Sequence, residues 1–298
     1  MSVLVLIMLA VCIGIPLAYA WRVFRLDEPS RSAWLLAVAN AAVIVSLVFL
    51  LGRWDMAGYY TRFLLVALFG AAVLRSLGRH AARPWRSAGP VPRSRWTALA
   101  PLALLGAALG YVGSGLLPPE KPRDLAFPLE GGRFMVGQGG GIALLNRHAG
   151  HPAQRHAVDI VAIGAFGFRA SGLLPEALDR YAIYGAAVVS PCDGAVVGAR
   201  DGLPDLVPPE ADSAHPRGNH AILDCGGFNV EIAHLQEGSL AITPGDRIAA
   251  GDAIGRVGNS GNTTEPHLHI HAVDPDRGIG LPMAFDGRAP VRNRLFGS

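Results

Sequence analysis

Long apolar runs alternate with short arginine-rich segments over the first 117 residues. A run of this length can cross about 30 Å of hydrocarbon as a helix. Four such runs are predicted: Ser2 to Ala20, Ala33 to Gly52, Met56 to Leu74 and Thr97 to Leu117. The pattern therefore predicts an N-terminal α-helical membrane region, residues 1–117, with four transmembrane helices that act as an anchor.

The pattern changes after this region. Residues 118–123 read P-P-E-K-P-R, and residues 118–133 are predicted to form a proline-rich linker. From about Phe134 the chain shows short runs of Val, Ile and Ala separated by Gly, Pro and Asp, which is typical of short strands. Residues 134–298 are therefore predicted to form an all-β domain, sandwich-like or barrel-like.

Eight strands are predicted in this domain, together with a short helix at Pro175 to Tyr181 and a long exposed loop at Asp201 to Gly218. The strands are Gly141 to His148, His156 to Ile163, Ala187 to Ser190, Gly194 to Gly198, His220 to Asp224, Asn229 to His234, Ala253 to Val257 and His267 to Val273.

Arginine placement predicts the orientation in the membrane, since short cytoplasmic loops collect basic residues. Nine arginines follow the first and third runs: Arg22, Arg25, Arg31, Arg75, Arg79, Arg83, Arg86, Arg93 and Arg95. With four spans, both segments are cytoplasmic and everything after residue 117 is outside. The Ala18-Tyr19-Ala20 pattern also fits a signal-peptide cleavage site. A retained helix is predicted, because no basic residue precedes the run and cleavage would leave the arginines outside.

Charge supports the same division of the chain. Residues 1–117 carry 11 arginines and three acidic residues, a net +8, whereas the rest carries 15 basic and 20 acidic residues, a net −5. The pI of about 9.0 thus reflects membrane topology, and nucleic acid is excluded as a predicted partner. The lipid bilayer is the predicted partner of the first region, and no protein partner is indicated.

Alternating histidines mark the C-terminal part, where residues 258–271 read G-N-S-G-N-T-T-E-P-H-L-H-I-H. In a strand, His267, His269 and His271 share one face while Leu268 and Ile270 point into the core. An isolated pattern of this kind also fits the polar face of an edge strand. Candidate ligands in other predicted strands favour a metal site over a polar edge strand.

Two further candidate ligands lie in other predicted strands. His234 lies in A-H-L and Asp159 in H-A-V-D-I. Zinc sites combine nitrogen and oxygen ligands from separate strands in this manner. The repeated Gly-Asp turns of residues 243–258 also occur in lipoyl and biotinyl carrier domains, but the single lysine of the chain, Lys121, lies in the linker and excludes that function.

Taken together, motifs between residues 139 and 273 resemble the lysostaphin and LytM-type zinc metallopeptidases. They are V-D-I at 158–160, S-P-C-D-G-A-V-V at 190–197, G-N-H-A-I-L-D at 218–224, I-A-H-L at 232–235, P-G-D-R-I-A-A-G-D-A-I-G-R-V-G-N-S-G at 244–261 and P-H-L-H-I at 266–270. The resemblance implies a duplicated hybrid motif fold and a zinc-dependent hydrolase that cleaves peptides of bacterial peptidoglycan. It also implies a multi-pass protein of the bacterial inner membrane with its C-terminal domain on the periplasmic side.

Site roles follow from the same resemblance. It implies that Asp159 and His269 are zinc ligands and that His234 and His267 are the catalytic pair that handles protons and the developing oxyanion. One position departs from the family pattern, which has a histidine ligand four residues before the aspartate, where this chain has Arg155.

Three histidines could replace the missing ligand, and a site without zinc is the remaining possibility. His148 is the preferred candidate, because a hairpin between the strands 141–148 and 156–163 would place it opposite Arg155. His156, which should point away from Asp159, and His151 are the alternatives.

Neighbouring residues carry weaker expectations. Asn146 and Glu265 could orient an imidazole or simply occupy turns, and His220 and His271 are expected to be solvated or to support the ligands. The resemblance also places Cys192 and Cys225 close together, so they are expected to form either a disulfide in an oxidising compartment or a pair of small buried thiols.

Two other functions compete with the enzyme. One is a catalytically degenerate domain that binds the cell wall or activates another hydrolase, which Arg155 favours. The other is a phosphocarrier with a phosphohistidine, which placement outside the membrane disfavours.

Overall fold

The computed structural model describes residues 3–86, 94–118 and 120–297, which divide into two compact units, Met1–Ser114 and Gly115–Ser298. Ser2 of the first predicted span, Arg93 of the second arginine-rich segment, the side chain of Arg95 and Pro119 of the predicted linker lie outside this description.

The first unit is helical. A π-helical turn at Ala10–Gly14 joins its first two helices into one continuous span. The α-helices are α1 (Val3–Leu9), α2 (Ile15–Phe24), α3 (Arg31–Leu51), α4 (Trp54–Ala57), α5 (Thr61–His80) and α6 (Ser94–Ser114). Among the described residues, three helical segments are long and apolar enough to cross a membrane: Val5–Phe24, Arg31–Leu51 and Thr61–His80.

The predicted fourth span, Thr97 to Leu117, is corrected by the structure. Its apolar helical part is Leu99–Ser114, which is shorter than the three candidate spans. The helix itself begins at Ser94, but its side chains are described only from Leu99 onwards. The structure thus supports three candidate spans instead of four.

The second unit is rich in β-structure. Its strands are β1 (Arg123–Leu125), β2 (Phe134–Gln138), β3 (Val158–Ala162), β4 (Ala187–Val189), β5 (Gly194–Arg200), β6 (Asn219–Asp224), β7 (Asn229–Leu235), β8 (Arg247–Ile248), β9 (Ala253–Arg256), β10 (Leu268–Asp274), β11 (Ile279–Leu281), β12 (Met283–Phe285) and β13 (Leu295–Phe296).

Nine of these strands form one antiparallel sheet in the order β13-β2-β3-β10-β7-β6-β5-β8, with β11 also paired to β10. Two small sheets, β1-β12 and β4-β9, complete the unit. Strand β10 lies between β3 and β7 at the centre of the large sheet. Residues on this strand are therefore positioned by pairing on both sides.

Alternation along β10 follows the predicted pattern. Leu268 and Ile270 are fully buried in the hydrophobic core, which also contains Val230 and Ile232 of β7. The opposite face carries the histidines, and it too is buried, at 3% to 6% exposure. Burial of both faces means that segments outside the sheet cover the histidine side.

The predicted strand Gly141 to His148 is wrong. Leu145 N and Asn146 N both donate to the Ile142 carbonyl, which closes a turn, and a 3-10 helix, Arg147–Gly150, follows it. The strand that pairs with β3 is β2, which the sequence prediction missed.

Other differences are smaller. The helix predicted at Pro175 to Tyr181 is one 3-10 turn, Leu178–Arg180, and residues 201–218 contain no strand or helix, as predicted. Part of the predicted linker belongs to the β-rich unit, since Leu125 of β1 and Leu129 are buried in its core. Burial of these two leucine side chains stabilises the attachment of the segment to the core, although the composition around them is polar.

Of the two alternatives for Cys192 and Cys225, the disulfide is confirmed and the pair of buried thiols is wrong. Cys192 and Cys225 are bonded, with their Cα atoms 5.8 Å apart. They flank the paired strands β5 and β6, where Ala195 lies opposite Asp224. Antiparallel pairing brings the two cysteines together although 33 residues separate them.

Candidate metal centre

Asp159, His269 and His234 come from three adjacent strands and meet on the covered face of the large sheet. Strand pairing sets Asp159 of β3 directly opposite His269 of β10, which in turn faces Ala233 of β7. The three side chains and that of His267, just before β10, are only 5% to 6% exposed.

The Asp159 carboxylate is the meeting point of these side chains. Its Oδ1 lies 2.9 Å from His269 Nδ1, and both oxygens lie 3.0 Å from His148 Nε2. His267 Nε2 lies 3.7 Å from Oδ1. Ligands about 2.0–2.2 Å from a shared tetrahedral zinc ion would lie roughly 3.3–3.5 Å apart, so the donor atoms of His148, Asp159 and His269 fit such an ion after small shifts.

His148 reaches this position from a 3-10 helix, Arg147–Gly150, and not from the predicted hairpin. Asn146 caps the helix, because its Oδ1 accepts a hydrogen bond from His148 N at 3.0 Å. The Asn146 amide also donates to the Ala157 carbonyl at 3.0 Å, and the residue is fully buried. Asn146 thus ties the 3-10 helix to the start of β3.

Arg155, at the position where the family pattern has a ligand, is not part of a strand. Strand β3 begins only at Val158, and Arg155 lies in the preceding turn with its side chain exposed. Two groups of donor side chains among the described residues could hold a metal: His148 with Asp159 and His269, and His234 with His267 and His269. Neither group contains His151 or His156.

His234 reaches the site through a break in strand alternation. Two residues of β7, Ala233 and His234, lie opposite one residue of β6, which is a bulge. His234 has φ of +64°, an uncommon value for a residue with a side chain. Its imidazole therefore lies beside that of His267, with ring centroids 4.9 Å apart, although Ile232 and Leu235 are in the core.

Backbone carbonyls define the tautomers of His234 and His267. His234 Nδ1 lies 2.8 Å from the Ser260 carbonyl oxygen, and His267 Nδ1 lies 2.8 Å from that of Glu265. Since a carbonyl only accepts, each Nδ1 carries the hydrogen and each neutral ring keeps a lone pair on Nε2. His267 Nε2 is buried and has no hydrogen-bond partner, which suits an atom directed at a ligand or metal.

Glu265 therefore orients His267 through its backbone. Its side chain binds Arg169, which donates to Oε2 from Nε at 2.8 Å and from Nη2 at 2.5 Å. Arg169 is 2% exposed. This ion pair joins the loop before β10 to the segment after β3, and sequence reasoning missed it because 96 residues separate the partners.

A chain of polar contacts supports His269 through Nε2, the ring nitrogen that does not contact Asp159. His269 Nε2 lies 3.2 Å from His271 Nδ1, and His271 Nε2 lies 3.9 Å from Glu231 Oε2. Arg217 Nε donates to the same carboxylate oxygen at 2.6 Å. His271 thus supports a candidate ligand and is not solvated, whereas the half-buried His220 Nδ1 bonds the Gly218 carbonyl oxygen.

Burial and charge shift the pKa values of these groups. Burial lowers the pKa of His234 well below its usual range, and the nearby His267 and His269 lower it further. Burial likewise lowers the pKa of His267, although Asp159 opposes the shift. For Asp159, burial raises the pKa, but His267 and the hydrogen bonds from His148 and His269 outweigh it and hold the pKa well below the usual range. Neutral imidazoles beside a carboxylate are the protonation states that zinc requires.

Comparison with known proteins finds similarity to one family over part of the chain. Residues 176–278 match the model of Peptidase family M23. The match confirms the resemblance seen in the motifs, and it contains His234, His267 and His269. Asp159 and His148 precede the matched segment.

Solved structures with partial similarity include a zinc-containing peptidase from Vibrio cholerae, with 18% identity and a TM-score of 0.34 over 54% of this chain and 39% of that chain. A peptidase M23 structure from Pseudomonas aeruginosa has 16% identity and a TM-score of 0.32 over 65% and 60%. The antimicrobial peptidase lysostaphin from Staphylococcus simulans has 20% identity and a TM-score of 0.23 over 37% and 41%. The chain thus spans 39% to 60% of the length of these three. No curated protein sequence matches it.

Proposed function

We propose that the β-rich unit is a zinc metalloendopeptidase that holds one zinc ion through His148, Asp159 and His269. The observation that carries the proposal is the buried convergence of two imidazole nitrogens on one carboxylate, at 2.9–3.0 Å. The family match of residues 176–278 supports it independently.

The chemistry that zinc supplies when bound here is activation of a water molecule and polarisation of a peptide carbonyl. His267 and His234 then have the roles of the catalytic pair. Each presents an unprotonated Nε2 to the site and is held by a backbone carbonyl. One can accept the proton of the attacking water, hydrogen-bond the oxyanion through the N–H so formed and then pass the proton to the leaving amine, while the other Nε2 accepts a hydrogen bond from the water.

The proposed substrate is peptidoglycan, and the bonds cleaved are peptide bonds of its stems or cross-bridges. A cleft of about 690 Å³ opens onto His148, His234 and His269, which is large enough for an extended peptide segment. The degenerate wall-binding module is no longer favoured by Arg155, because that side chain is exposed in a turn.

We further propose that the β-rich unit lies outside the cytoplasmic membrane of a bacterium and that the helices anchor it. The disulfide between Cys192 and Cys225 supports an oxidising compartment. The arginines that follow the first and third spans support a cytoplasmic position for those segments. Both placements together require the chain between Arg86 and Gly115 to pass through the bilayer. Helix α6 (Ser94–Ser114) lies in that interval, and its 21 residues extend about 31 Å, close to the thickness of a hydrocarbon core.

Two experiments test these proposals. Full-length protein purified in detergent should contain one zinc ion per chain by plasma mass spectrometry and should release peptides with new amino termini from purified peptidoglycan. A protein without zinc that leaves peptidoglycan intact would be a wall-binding module. Topology reporters inserted after Arg86 and fused to the C-terminus should report the cytoplasm and the outside respectively. The same compartment for both would contradict the proposed placement.

A further inference from the structure

Positive charge is concentrated at the candidate cleft although the rest of the chain after residue 117 is acidic overall. Arg147 and Arg217 line the cleft, and Glu231 is the one acidic residue among its lining residues that the structure describes. Glu231 is already neutralised by Arg217, with contacts of 2.6 and 3.2 Å. Of the two arginines that line the cleft, Arg147 is therefore the one whose charge Glu231 does not neutralise.

Arg147 has a weak attachment in this structure. Its side chain is 60% exposed, and its Nη2 lies 3.4 Å from Asp159 Oδ2, beyond the usual length of a charge-assisted hydrogen bond. His148 contacts that same oxygen at 3.0 Å. Arg147 thus shares an acceptor that a shorter contact already engages.

Zinc at the proposed site would remove even this contact. The Asp159 oxygens would be committed to the ion, and the guanidinium would face a divalent cation. The charges of zinc, Asp159, Arg147, Arg217 and Glu231 then total +2 with neutral histidines. An anionic group of the substrate is the natural counter-charge, and a carboxylate matches the fork of an arginine in two parallel hydrogen bonds.

We infer that Arg147 is a specificity-determining residue that binds a carboxylate of the substrate close to the scissile bond. This inference rests on the proposed metallopeptidase function. Nη2 lies 3.4 Å from an oxygen that would be about 2 Å from zinc, so the guanidinium lies within roughly 5.5 Å of the ion. A peptide residue extends about 3.5 Å, which sets the carboxylate within about two residues of the cleaved bond. The preferred substrates are thus acidic peptides, and peptides with that carboxylate amidated are poor ones.

Soluble peptidoglycan peptides, either untreated or with their carboxylates amidated, provide the test. Wild-type full-length protein loaded with zinc should cleave the untreated peptides with kcat/KM about 10-fold or more above the amidated ones. Arg147→Gln should bring this ratio close to one, and Arg147→Lys should restore part of it. The matched control is Arg155→Gln, which removes an exposed arginine outside the cleft and should leave the ratio unchanged.

Zinc content and equilibrium binding separate this inference from the proposed function. Arg147→Gln should retain one zinc per chain, whereas a structural role in holding Asp159 would show as lost zinc and would overturn the inference. Calorimetry should show that untreated peptides bind wild type more tightly than amidated ones. If this difference in binding is found without any cleavage, the proposed enzyme activity is wrong but carboxylate recognition by Arg147 stands. Cleavage of both peptide sets at equal rates would leave the enzyme standing and eliminate carboxylate recognition.

Discussion

The side chains of the candidate site come from two kinds of backbone, regular paired strands and irregular segments. Asp159 and His269 lie on paired strands and meet because the sheet register sets them opposite each other. His148 comes from a 3-10 helix, and His234 comes from a bulge with a positive φ. Strand alternation alone therefore predicts the first two side chains. The other two depend on local departures from it, where the polar contacts of Asn146 and the carbonyl of Ser260 hold the imidazoles.

The largest expected effect comes from the regular part. His269→Ala removes the ligand that pairs with Asp159 and lies at the centre of the sheet, so zinc should fall from one per chain to background and peptide release should stop. Plasma mass spectrometry and mass analysis of released peptides measure both. His220→Ala, on strand β6 beyond β7, is the control and should retain zinc. A loaded and active His269→Ala protein would remove the basis of the proposed centre.

His267→Ala is expected to have the next largest effect. The side chain shares the strand face of His269 but is assigned to proton transfer, so zinc content should be unchanged while kcat falls roughly 10² to 10⁴-fold, the usual contribution of a general base. Rates on soluble peptidoglycan peptides, normalised to bound zinc, provide the measurement. Loss of zinc with activity would make His267 a ligand, as the second group of donors permits.

His148→Ala tests the irregular part against the regular one. Loss of a direct ligand should weaken zinc binding by more than about 100-fold, above the 10- to 100-fold typical of supporting residues. Competition with a chromophoric chelator measures the affinity. His151→Ala is the matched control, since His151 lies three residues away on the exposed side of the same turn. Equal affinities for the two variants would exclude His148 from the metal set.

The smallest effect concerns the bulge at His234. Alanine and glycine both remove the imidazole, but only glycine adopts φ of +64° without a steric cost. His234→Gly should therefore be more stable than His234→Ala by about 1 kcal/mol. Urea unfolding of the two proteins with the disulfide intact compares them. Equal urea midpoints for the two variants would mean that residue 234 leaves the positive φ in the alanine variant. The sheet would then not enforce the strained backbone.

Much of the fold was predictable because it depends on local patterns. Runs of apolar residues indicated three of the four expected spans, and alternation indicated β3, β6, β7 and β10 within one or two residues. The fourth expected span is not among the three that the described residues support, since its described apolar part is Leu99–Ser114. The strand predicted at Gly141 to His148 failed because its backbone hydrogen bonds close locally into a turn and a 3-10 helix, although Ile142, Leu144 and Leu145 are apolar.

The position of His148 was predicted correctly, but the hairpin that was expected to place it there is wrong. It lies beside Asp159, as predicted, but a 3-10 helix brings it there and β2 occupies the expected position of its strand. Only one feature of the sequence pointed to that helix. Asn146 is a residue that favours helix N-caps, and its position two residues before His148 could have been recognised.

Residue type and strand parity are enough to identify the side chains that could perform the chemistry, because they place Asp159, His267 and His269 on one face of adjacent strands. Tertiary structure decided which histidine joins them and where Arg147, Arg155 and Glu231 point. Those positions depend on contacts between residues far apart in the chain, such as Arg169 with Glu265 and Gly139 with Pro290. Local patterns cannot encode such contacts, since each requires that the sheet has already brought its partners together.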